Sequence, residues 1–90
     1  MPDDDEISLT VPPDADLQSV VVAAVAAVVR RTGLGDAEVA KAREDAADAF
    51  HQVVEVGTGE VTLTAAGGRK EYRFELRREG SAGYEKRVGG

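Results

Sequence analysis

Ninety residues give room for one domain, 1–90, and it is acidic: 17 Asp and Glu stand against 11 Lys and Arg, a net charge of −6. That balance repels nucleic acid and anionic membrane, so neither is expected as a partner. With no Cys and one His, disulfides, thiolate metal sites and His–His acid–base pairs are excluded, and the chemistry fits a reducing cytoplasm, the expected location, as well as any other compartment.

Residues 1–5 read as a loose acidic lead. Ile7 to Val11 then alternates apolar and polar side chains, the period of a half-buried strand. Pro12-Pro13 ends it, because proline cannot donate to a ladder. Asp14 is placed to cap a helix running to about Thr32, with Asp16 at its positive end. Gly33 suits a left-handed terminator, after which Leu34 can pack back on Val29. The middle of this helix is apolar nearly all round. That marks either a core helix covered on two sides or a helix with one face in a subunit interface, and the two do not exclude each other. From Leu17 to Val29 it would span about 20 Å, short of the ~30 Å of a bilayer core. The acidic residues before it also differ from the basic start of a signal peptide.

Asp36 is placed to cap a second helix, about Ala37 to Val56, with Gly57 as its stop. Val39, Ala42, Ala46, Ala49, Phe50 and Val53 recur at three- and four-residue steps as its buried stripe. Lys41, Glu44, Asp45, Asp48, Gln52 and Glu55 take the opposite side. Two strands follow: Val61, Leu63 and Ala65 alternate with threonines, and Tyr72, Phe74 and Leu76 alternate with charged residues. Gly67-Gly68 reads as the turn between them. Residues 6–78 are thus the expected core. Residues 79–90 are expected as a flexible tail, with a short strand at Tyr84 to Val88 left open. The order strand, helix, helix, strand, strand predicts an α+β fold: a small antiparallel sheet with two helices on one face. Its other face would show Ser8, Thr10, Thr62, Thr64, Arg73 and Arg77 to water.

Several segments together resemble the anti-sigma-factor serine kinases of the GHKL ATPase superfamily. They are "ISLTVPPDADLQSVV", "VVRRTGLGDAEV" and "EDAADAFHQVVEVG", followed by "GEVTLT" and "YRFELRREG". The resemblance spans about residues 6–80 and implies the front half of that ATPase fold. In the family, the second helix carries a Glu, an Asn four residues on, and often a His four further, all on one helix face. Asp48, Gln52 and Val56 hold those positions here. The two polar changes move the functional atoms by about a bond length, which octahedral magnesium tolerates badly. Val56 removes the third polar group. The family's adenine-reading Asp corresponds to Arg78, which has donors only and cannot accept from an amino group. Glu44, Asp45 and Asp48 would repel phosphates, and this sequence stops at Gly90, ahead of the family's glycine-rich phosphate loop. Gly57, Gly59, Gly67 and Gly68 read as turns rather than a replacement for it.

The resemblance therefore implies a protein that has lost its nucleotide site, with Asp48 and Gln52 as vestigial positions and no catalytic residue, metal or cofactor. Its expected role is regulatory binding of a protein, a sigma factor or an antagonist protein. A homodimer built on the first helix or on the edge strand Ile7–Val11 is also expected. Two alternatives stay open: a weak ATP-binding kinase that completes its site with a partner chain, and an orphan dimeric domain with no sigma-factor link. His51, and the pairs Arg30-Arg31 and Arg77-Arg78, read as surface residues.

Overall fold

Four antiparallel strands in chain order form one sheet, and two helices cover one of its faces. The computed structural model describes residues 5–89, so residues 1–4 of the acidic lead and Gly90 lie outside the described residues. The elements are β1 (Asp5–Val11), a single 3-10 turn (Ala15–Leu17), α1 (Gln18–Arg30), α2 (Asp36–Glu55), β2 (Thr58–Gly68), β3 (Glu71–Glu79) and β4 (Tyr84–Val88). This is the expected α+β class with one strand added: part of the segment read as tail is β4, paired along β3 from Tyr72↔Val88 to Leu76↔Tyr84. Asp5, read as part of the lead, already pairs with Gly67.

Period-two alternation divides the sheet. Val61, Leu63, Ala65, Tyr72, Phe74 and Leu76 are buried under the helices. They meet Val21, Val25, Val28 and Val29 of α1 and the six-residue stripe of α2, which is buried as its spacing requires. The opposite face is polar. Glu6, Ala66 and Arg73 lie side by side across β1, β2 and β3, and Arg73 reaches over Ala66 to Glu6 at 3.4 Å. Arg77 and Glu75 pair at 3.0 Å on the same face, as do Arg87 and Glu85 at 3.2 Å.

Two local expectations are corrected. Gly67-Gly68 is not the turn; both residues belong to β2, and the hairpin closes at Arg69 and Lys70. Gly67 lies where α1 crosses the sheet, and a Cβ there would come within 2.8 Å of Val28 Cγ1. The glycine is needed for close helix–sheet approach rather than for a bend. Lys70 instead takes the left-handed conformation (φ 62°). It is held there by its backbone N–H on the Thr32 carbonyl (2.8 Å) and its Nζ on the Gly33 carbonyl (2.7 Å). Those bonds tie the hairpin to the end of α1. The second correction concerns α2, whose N-cap is Gly35 (φ 99°), with Asp36 one residue inside. Asp36 and Glu38 then act through their charge on the helix dipole, not through a capping hydrogen bond.

Asp14 does cap, accepting from the Asp16 N–H at 2.9 Å, although the turn it opens is the 3-10 turn ahead of α1. Among the described residues no helix is long and apolar enough to cross a membrane.

Candidate functional site

The face that the sequence singles out runs along the outside of α2. Asp48 and Gln52 are one turn apart and both exposed, and Val56, just past the end of α2, is 55% exposed. The helix turns these positions to solvent because its apolar stripe, on the other side, faces the sheet and α1. Around them, His51 Nε2 meets Glu55 Oε1 at 3.0 Å, an i,i+4 contact on the surface. Glu44 is exposed as well.

Asp45 departs from its expected place on the solvated side. It is half-buried and forms an ion pair with Lys86 of β4. Lys86 points inward between Tyr84 and Val88, toward the helices. Burial pushes its ammonium below the ordinary range; Lys41 acts in the same direction and Glu38 against it. An inward-pointing charge on an edge strand also blunts that edge against pairing with other strands.

Arg78 is the side chain that sequence reading placed least well. It is not a solvated strand end. Nη1 donates to the Val53 carbonyl at 3.1 Å and the Val54 carbonyl at 2.7 Å, and Nε donates to the Gly59 carbonyl at 2.9 Å. The last carbonyls of a helix have no partners within it, and a guanidinium placed there satisfies several at once while complementing the dipole. The signal was present in the sequence. Tyr72, Phe74 and Leu76 define the inward row of β3, and Arg78 is the next member of that row.

Two hollows lie on the sheet. The larger hollow, about 630 Å³, sits at the sheet end near the β3–β4 loop, and Glu60, Glu75, Glu79 and Glu85 line it with Arg77. Arg78 lines it as well, so four carboxylates stand against two guanidinium groups, a balance that disfavours a phosphate there. Among the described residues, no group of three His, Cys, Asp or Glu side chains is arranged to hold a metal ion.

One buried polar atom stands out. The Tyr72 hydroxyl has no hydrogen-bond partner among the described residues, and Tyr72 is 3% exposed. Burial raises its pKa above the usual 10.0, with Glu38 and Tyr84 adding to the effect. Because the folded value is the higher one, the phenol contributes no pH dependence below 10.0. The protein then loses stability as pH climbs from there toward and through the folded value. Tyr72→Phe is expected to stabilise the fold by about 1 kcal/mol at neutral pH, since it deletes an unsatisfied buried group. It should also flatten the alkaline decline, which urea unfolding at neutral pH and above pH 10 would test; a destabilised variant at neutral pH would show that the hydroxyl has a partner.

Compared with models of known protein families and with curated proteins, the chain matches none. The resemblance to the anti-sigma-factor kinases rests on the residues of this sequence alone.

Proposed function

We propose that this chain is a non-catalytic regulatory module of the cytoplasm that acts by binding another protein. It would resemble an anti-sigma factor without a nucleotide site, with a sigma factor or an antagonist protein as its partner. The observation that carries this reading is the use of Arg78. The residue standing where the kinases read adenine holds the end of α2 in place. The outward setting of Asp48 and Gln52 supports it further, since both are free to meet a partner surface.

Thermal unfolding with and without millimolar Mg-ATP or Mg-ADP tests the proposal, and no shift is expected. A ligand present at about 100 times its dissociation constant adds ~2.7 kcal/mol, which moves a domain of this size by several degrees. A clear upward shift, abolished by Asp48→Ala or Gln52→Ala, would overturn the non-catalytic reading in favour of a nucleotide-binding kinase.

A further inference from the structure

Of the four strands, β4 is the least firmly fastened. It is five residues long and pairs with β3 alone. None of its side chains is buried: Tyr84, Lys86 and Val88 on its inward row are half-buried, whereas Tyr72, Phe74 and Leu76 beside them on β3 are buried. The opposite edge strand, β1, is longer and buries Val11. Gly80 and Gly83 before β4 and Gly89 after it all take left-handed φ values (80°, 76° and 86°). Glycine turns most freely of all residues, so β4 has a swivel at each end.

Lys86 and Asp45 form the one ion pair between β4 and α2 among the described residues. The Lys86 side chain is 16% exposed and that of Asp45 29%, so water screens this pair less than it does a pair on the open surface. Glu38, Lys41 and Asp45 follow one another on α2 at steps of three and four residues, which puts them on one side of the helix. Glu38 and Lys41 act on the Lys86 ammonium with opposite signs. Without Asp45 that ammonium would sit half-buried and uncompensated, and swinging out into water relieves it.

We infer that β4 is a strap that opens as a unit about its flanking glycines while the rest of the domain stays folded, and that Asp45 is the catch that holds it shut. Few buried apolar contacts and a single line of ladder hydrogen bonds mark a segment that opens below the free energy of global unfolding. Opening bares the backbone edge of β3 from Tyr72 to Leu76 and the side of Phe74 against which Tyr84 packs. Shut, the molecule ends in an edge blunted by the inward Lys86. Open, it ends in an edge able to pair with another strand. The strap therefore controls the exposure of a strand edge, and this holds whatever the module binds.

Native-state amide hydrogen exchange of the full chain, followed by NMR at rising sub-denaturing urea, tests the inference. The β4 amides bonded to β3 are expected to exchange at least ~10 times faster than those between β2 and β3, the factor for 1.4 kcal/mol. They should respond little to urea, because opening exposes little surface. Asp45→Ala should speed the β4 amides about tenfold further, since it leaves Lys86 without its partner. The double variant Asp45→Ala/Lys86→Met carries neither charge and should return them to the wild-type rate or a slower one. Asp45→Asn should also speed them, and it decides the matter if the alanine variant loses its far-UV circular dichroism. Amides of β4 that follow those of β2 and β3 in rate and urea response would overturn the inference, because β4 would then open only with the whole domain. So would an Asp45→Ala variant whose β4 amides keep the wild-type rate, or a double variant that does not recover it.

Discussion

Phe74→Ala is expected to leave the domain barely folded. Phe74 sits mid-strand in β3 and is 1% exposed. It lies between the sheet and the helices and packs its ring against Tyr84 of β4 with centroids 5.7 Å apart. Removing a buried phenyl group costs about 3–5 kcal/mol, part of it for the cavity left behind. A domain of this size has on the order of 5 kcal/mol in total, toward the low end of the usual range. Each kcal/mol lowers the melting temperature by roughly 4–8 °C in a chain this short, so a fall of at least ~12 °C is expected. Phe74→Leu keeps most of the volume and should cost about 1 kcal/mol. Thermal unfolding followed by circular dichroism measures both. An alanine variant within ~1 kcal/mol of wild type would mean that the β3 row is not the centre of the core.

Arg78→Ala should give the second largest loss, about 1.5–3 kcal/mol, the range for hydrogen bonds to a charged group. Four carbonyls lose the guanidinium at once: Val53, Val54 and Val56 at the end of α2, and Gly59 at the start of β2, although Val53 also accepts from the Val56 N–H at 3.4 Å. Arg78→Lys should recover less than half of the loss, because a single ammonium cannot span sites that a planar guanidinium reaches from two edges. Arg78→Asp replaces the guanidinium with a group of opposite charge. Here it brings a carboxylate to the negative end of α2, so it should be worse than alanine. Urea unfolding of the three variants gives the order directly. An aspartate variant as stable as wild type would show that Arg78 is not a helix cap, and would remove the main support for reading this position as structural.

Much of the architecture follows from periodicity in the sequence. Steps of three and four residues placed Val39, Ala42, Ala46, Ala49, Phe50 and Val53 on the buried side of α2. Alternation placed Leu63, Phe74 and Leu76 on the buried face of the sheet. These patterns are local, and each records which side of an element avoids water. Alternation also carried a signal that charge concealed: Arg78 and Lys86 belong to the inward rows of β3 and β4, yet a charged side chain read alone suggests solvent.

The remainder depended on which elements meet. Gly67 is indistinguishable from a turn glycine until α1 lies across it and leaves no room for a Cβ. The hairpin moves to Arg69 and Lys70 because the end of α1 supplies the Thr32 and Gly33 carbonyls that hold Lys70. β4 forms because β3 offers it a free edge and Asp45 of α2 offers Lys86 a partner. Asp48 and Gln52 could be placed on one helix face from their spacing, but only the packing of α2 against the sheet and α1 turned that face to solvent. By itself, then, the sequence determined the two helices, the first three strands and their apolar faces, because burial periodicity is a property of each segment. The tertiary structure decided the turn, the helix caps and the setting of the candidate site, because each depends on a backbone group or side chain distant in the chain.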